Sequence, residues 1–227
     1  MVGEISQNWL TMVRANVGQP PGTQSATPDE RFYGWMSDAQ NDLANRLDDS
    51  DLPTLMVDET IHPGVAKQVS FALPSDHLGG RHRGLVYNGR LALWFDVEDE
   101  QILRDNTILT PSKGSPKWNI YGDAINLFIG ADFTATTDTI IFRYIKAPVD
   151  MSATVDPSVP LNMRPLVVWF SCARFYDERQ DIARASYYSQ QYEVRVQEYV
   201  GRSVDQQTRQ ANKAGDSPIS LSARGRR

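Results

Sequence analysis

Cysteine is almost missing from this chain: there is one, Cys172, which excludes an internal disulfide and points to folding in a reducing cytoplasm. Long apolar runs are missing too. The most apolar window, Leu166 to Cys172, falls far short of the roughly 20 residues that cross a bilayer, so no membrane partner is expected. The opening residues, MVGEISQNWLTMVR, carry an acid where a signal peptide carries bases and hold no continuous apolar stretch, so no secretory leader is expected. Histidine is sparse. His62, His77 and His82 match no helical zinc spacing and have no cysteine beside them. Phosphate-binding glycine loops are absent as well, because Gly79-Gly80 and the isolated glycines make neither a GxGxxG nor a Walker sequence. No metal and no other cofactor is expected.

Positive charge is scarce over most of the length. The net charge is −5, yet from Arg202 onward six bases (Arg202, Arg209, Lys213, Arg224, Arg226, Arg227) stand against two acids (Asp205, Asp216), a local +4 that leaves −9 for the rest. An acidic body argues against nonspecific nucleic-acid binding, since phosphate affinity comes mainly from Lys and Arg. The basic tail is the exception.

What is present is a pattern of helix, helix, β block, helix, helix and tail. Ile5, Trp9, Met12, Val13 and Val17 recur at helical spacing and stop at Gly18. A second helix is expected from Thr27 as N-cap, Pro28 at the first helical position and Glu30 completing a capping box. Its apolar stripe is Phe32, Trp35, Met36, Ala39, Leu43 and Leu47. From about Pro53 to Pro148 short β-rich runs (TLMVDETI, KQVSFAL, GLVYNGRLALWF, KWNIYG, INLFIG, DTIIFRYI) predict six or more strands, with Asn88-Gly89 as a two-residue hairpin turn. Pro148, Pro157, Pro160 and Pro165 mark a linker back to helical sequence. Met163 to about Asp177 is apolar nearly all round and reads as the central core helix; from Asp181 to about Val200, Ala185, Tyr188, Tyr192, Val196 and Tyr199 make the apolar face of an amphipathic one. The polar remainder cannot bury enough surface to order alone and reads as an extended arm. The expected class is α+β: a bundle of about four helices, an inserted antiparallel β-sandwich or barrel, and a C-terminal arm. The divisions are 1–52, 53–148, 149–202 and 203–227.

No catalytic constellation emerges, and an enzyme is not expected. His77 to Arg83 (HLGGRHR) reads as an exposed basic loop, and Asp96, Glu98, Asp99 and Glu100 as a solvated hairpin tip lacking the glycine and oxygen spacing of a calcium loop. Cys172 sits in apolar helix with no base to lower its pKa, the pattern of an inert core thiol. Tyr188, Tyr192 and Tyr199 suit packing on a neighbouring helix or subunit better than base stacking, because stacking platforms are interleaved with basic residues.

Five segments in order, FYGWMSDAQNDLANRL, FALPSDHLG, GSPKWNIYGDAINLFIG, FRYIKAPVDMS and SYYSQQYEVRVQEYV, resemble the head-to-tail adaptor or connector proteins of tailed phages, including the tubular tail protein A type of short-tailed phages. The resemblance covers residues 4–202. Its most specific parts are the helix segment Trp35 to Leu43, with Ala39 between them, the F-x-LP-x-D turn (Phe71, Leu73, Pro74, Asp76) and the Gly114, Pro116, Trp118 segment. It implies a virion subunit assembled in the bacterial host cytoplasm, forming a ring of generally twelve copies between portal and tail with double-stranded DNA passing through unread. Arg202, Arg209, Lys213, Ile219, Leu221, Arg224, Arg226 and Arg227 would engage the portal protein. Phe32, Trp35, Met36, Tyr188, Tyr192 and Tyr199 would pack subunits. His77, Arg81, His82, Arg83, Asp96 and Glu98 would face the tail nozzle or another tail protein. The alternative is a virion carbohydrate- or receptor-binding module using Trp94, His82 and Arg83. A hydrolase built on Asp96, Glu98 or Glu100 fits poorly, because those acids lie in one run instead of facing across a cleft.

Overall fold

The computed structural model describes residues 3–19, 27–63, 70–94, 115–129 and 138–215, the last thirteen as helical backbone. The chain divides into a helical unit, residues 1–54 and 148–227, and a β unit, residues 55–147.

In the helical unit, α1 (Glu4–Asn16) buries Trp9, Leu10 and Val13, and α2 (Asp29–Arg46) buries Phe32, Trp35, Met36, Ala39 and Leu43. The helical spacing of these residues puts each set on one face. The predicted capping box on α2 does not form. Pro28 is the flanking residue and no side chain caps the helix. The backbone groups of Thr27 are committed elsewhere: its N–H donates to Gln19 Oε1 at 3.0 Å and its carbonyl accepts from Arg14 at 2.8 Å.

Helix α3 (Arg164–Glu178) packs against α1, α2 and α4 and is the central helix. A left-handed residue, Gln180 (φ 59°), turns the chain into α4 (Ile182–Gly215), where the Asp181 carboxylate accepts the Arg184 N–H at 3.2 Å. Helix α4 continues well past the expected end near Val200. The expectation of an extended arm therefore fails for residues 203–215. Between Ser203 and Ala214 there is no proline or glycine, and Gln, Arg, Ala and Lys, good helix formers, dominate. Extending an existing helix also needs no new nucleus.

The linker is sewn to the helices by side chains. Asp156 accepts from the N–H groups of Ile5 and Ser6, doing the capping that Gly3 cannot, while Gln40 accepts from Ser158 N at 2.6 Å. Ser37 Oγ accepts from Met151 N at 2.9 Å. Gly3 lies so close to the linker that a Cβ there would stand 2.1 Å from the Ala153 carbonyl oxygen.

The β unit is one curled, seven-stranded mixed sheet, a half-barrel, in the order β1-β7-β3-β4-β5-β6-β2. The strands are β1 (Met56–Ile61), β2 (Ser70–Ala72), β3 (His77–Tyr87), β4 (Arg90–Trp94), β5 (Lys117–Tyr121), β6 (Ala124–Phe128) and β7 (Ile140–Lys146). All pairs are antiparallel except β4 with β5, which is parallel, so the insert is not the purely antiparallel sheet expected. Alternation along the strands gathers Phe71, Leu85, Tyr87, Ala92, Trp118, Ile125, Leu127, Ile140, Phe142 and Tyr144 into one core. The Asn88-Gly89 turn has the expected positive φ values, 45° and 78°. Asn88 also locks it from outside, its Oδ1 accepting from Thr139 N at 2.8 Å.

Candidate functional site

Of the six residues proposed to pack subunits, Phe32, Trp35, Met36, Tyr192 and Tyr199 are buried within the helical unit and Tyr188 is half-buried. Phe32 and Met36 have no exposed surface, which leaves none for a neighbouring copy. Phe32 stacks on Phe175 of α3 at 5.9 Å between ring centroids, and Trp35 meets both rings edge-on. Tyr192 is buried against α3, edge-on to Phe170, and its hydroxyl donates to the Asp42 carboxylate. Burial first, and then Asp42, hold this phenol far above its ordinary pKa. Tyr199 accepts from Asn162 at 3.3 Å, and Tyr188 stacks on Tyr176.

A charged cluster clasps α2 to α4. Arg46 donates through both terminal nitrogens to Glu193, at 2.7 and 2.5 Å, and to Asp42 at 3.2 Å. The hydrogen bond from Arg46 holds the Glu193 carboxyl below its usual range. These groups rim a groove of about 390 Å³ floored by Phe170, Ala173 and Tyr192. A second cation, Arg14, is buried over the Phe32 ring at 4.9 Å and paired with Asp29.

His77 and His82, expected in an exposed basic loop, lie in β3. The glycines make this possible. Six residues of β3, His77 to His82, lie opposite only three of β7, Lys146 to Tyr144, and Gly80 takes up the excess at φ 76°. The bulge turns both imidazoles onto the aromatic core: His82 stacks on Trp94 at 4.7 Å and meets Trp118 edge-on, while His77 lies against Phe142 and Tyr144. Burial lowers both histidine pKa values; Asp76 opposes the shift at His77, and His77 adds to it at His82. Both line a concave site of about 600 Å³ with Leu73, Pro74, Trp94, Ile120 and Asp123. Arg81 is half-buried and Arg83 exposed on the same strand.

The F-x-LP-x-D turn has a local physical reason. Phe71 is buried, the Leu73 N–H donates to the Asp123 carbonyl, and Asp76 accepts the Tyr144 hydroxyl at 2.8 Å. Sequence reading missed the matching device at the other end of β7, where Asp138 accepts from the Tyr87 hydroxyl and from Asn88. The acid that opens the β run DTIIFRYI was its only signal.

Arg209 and Lys213 fall on the helical backbone of α4, and Arg202 on its exposed surface. Asp96, Glu98, Ile219, Leu221, Arg224, Arg226 and Arg227 lie outside the described residues. Cys172 is fully buried, and burial pushes its thiol up to about 12. Among the described residues no three His, Cys, Asp or Glu side chains gather as a metal site, and no helix is long and apolar enough to cross a membrane.

Residues 8–219 match the family model described as SU10 adaptor protein. No curated protein matches the chain.

Proposed function

We propose that this chain, which belongs to the SU10 adaptor protein family, is the head-to-tail adaptor subunit of a tailed bacteriophage: it builds a homo-oligomeric ring of about twelve copies between portal and tail. The family makes it a structural phage adaptor. The ring and its partners are the proposal. The helical unit is the ring body, the C-terminal segment engages the portal protein, the β unit faces the tail nozzle or another tail protein, and duplex DNA passes through without being read. Assembly takes place in the host cytoplasm.

One observation carries this reading. The long last helix belongs to the helical unit and runs on to Gly215, and the sequence that follows it carries Arg224, Arg226 and Arg227. Arginine suits engagement of the portal because its planar fork fixes orientation on carboxylates as well as affinity. The acidic remainder suits a channel wall, which must not retain passing phosphates. Deleting residues 216–227 and imaging reconstituted portal complexes by cryo-electron microscopy tests it. Loss of adaptor density from the portal is expected; full occupancy by the truncated chain would overturn portal docking through this segment.

A second reading is favoured by Trp94, which is 44% exposed at the concave site of the β unit and stacked on His82. Such a ring is a platform for a host glycan. Binding of the purified chain to host envelope polysaccharide, with no affinity for portal, would move the assignment to a receptor-binding module.

A further inference from the structure

The concave site of the β unit is bare where side chains could fill it. Gly79, Gly80 and Gly122 all line it, and a Cβ added at any of them would meet nothing within 4 Å. Gly80 and Gly122 need glycine for their left-handed backbone, at φ 76° and 60°, but Gly79 lies outside that region. Together they keep open a space of about 600 Å³, a size usual for small-molecule sites. Part of the lining is apolar: Leu73, Pro74, Ile120 and Trp94, whose ring is 44% exposed. The polar part is His77 and His82. Each holds a buried ring nitrogen, Nε2 of His77 and Nδ1 of His82, with no hydrogen-bond partner among the described residues. Buried polar atoms are nearly always paired, because an unpaired one has given up its hydration for nothing. Two on one strand, in one concavity, mark a place for a partner that the chain itself does not supply.

We infer that this site takes a neutral sugar, whose C–H groups lie along Trp94 and whose hydroxyls bond the two imidazoles. Charge selects the class. Among the described lining residues Asp123 is the one with a formal charge, and neither Lys nor Arg joins it. Burial keeps both imidazoles neutral at neutral pH. An anionic ligand would therefore lose its hydration without meeting a cation. Hydrogen bonding narrows the class further. A neutral imidazole offers one donor and one acceptor nitrogen, and a hydroxyl answers either, whereas a carboxylate only accepts and an ammonium only donates. An apolar side chain of another protein would cover Trp94 and leave both nitrogens unanswered. A sugar ring satisfies the two halves of the lining at once, with an apolar C–H surface and a polar rim.

The bulge makes the nitrogens reachable. Between His77 and His82 the residues 78–81 have no register partner on β7, so this stretch can adjust around a ligand while the ladder on either side stays paired. This inference rests on the second reading of the proposed function, which puts a glycan on Trp94, and it names the class of sugar and the residues that read it.

The test titrates the full-length chain, at neutral pH, with neutral trisaccharides (maltotriose, mannotriose, triacetylchitotriose) and charged ones (trigalacturonate and the deacetylated chitosan trimer), followed by tryptophan fluorescence and NMR. Saturable binding of at least one neutral probe is expected, with none of the charged ones. Gly79→Phe places a ring in the open space and leaves both imidazoles in place; it should weaken that binding by about tenfold or more, with the circular dichroism and thermal midpoint of the parent. Should Gly79→Phe fail to fold, the imidazole resonances of the parent give the second readout: those of His77 and His82 move on saturation, and those of His62, exposed and off the lining, do not. Charged trimers that bind as well as neutral ones overturn the inference, as does a folded Gly79→Phe that binds like the parent or a bound sugar that moves neither histidine. Host envelope polysaccharide that binds while no neutral trimer does overturns the sugar class and leaves the glycan reading standing. Polysaccharide that fails to bind as well overturns both.

Discussion

At the residue scale, the histidines give the β unit a pH dependence with a definite sign. Burial lowers the folded-state pKa of His77 and His82 below the unfolded value of about 6.5, so the unfolded chain binds more protons as pH falls. Stability from these two groups is present in full above pH about 6.5 and is lost as pH drops through that value toward the folded pKa. The β unit should therefore unfold at lower denaturant between pH 7 and 5, followed by the fluorescence of Trp94 and Trp118, which touch His82. In His82→Phe that slope should flatten. An unchanged slope would mean His82 does not titrate with folding. In the helical unit, Phe32 is wholly buried and stacked on Phe175, so Phe32→Ala should cost about 3–5 kcal/mol in chemical denaturation. A loss under about 1 kcal/mol would contradict its place in the core. That Phe32 lies on an apolar helix face was legible in the sequence because helical periodicity reports the face, although not what covers it. The places of His77 and His82 were not, because glycines flanking polar residues signal a loop and a wide bulge equally well.

At the scale of elements, the four helices and the Asn88-Gly89 hairpin were readable, since periodicity and turn chemistry are local. The α2 capping box matched its pattern and failed. The reciprocal half of a capping box needs the backbone N–H of its first residue, and that of Thr27 is taken by Gln19, a partner the pattern does not contain. The parallel pairing of β4 with β5 was unreadable for a similar reason: pairing direction depends on the route between strands, not on the strands. The end of α4 shows the limit of hydrophobic patterning, which lost the helix where its core face turned polar at Ser203 although propensity carries it to Gly215. Proline in a helix interior costs about 3 kcal/mol and removes a backbone bond. Gly201→Pro should thus lower the ellipticity at 222 nm by about the share of residues 201–215 while leaving the thermal midpoint of the body nearly unchanged. Undiminished ellipticity would contradict a continuous α4.

At the scale of the molecule, the chain forms two compact units, residues 1–54 with 148–227 and residues 55–147. The resemblance in five ordered segments pointed to the same kind of protein as the family match over residues 8–219. The surfaces that would meet other proteins were harder to read. Large aromatics at helical spacing look the same whether they face a sister helix or a sister subunit, and for Phe32, Trp35, Met36 and Tyr192 burial within the chain decides the matter. The adaptor role itself is tested most directly by locating the chain in the particle. Cryo-electron microscopy of the phage neck should find the helical unit repeated as a closed ring between portal and tail. Density for this chain away from the neck, or at the neck in a single copy, would contradict it.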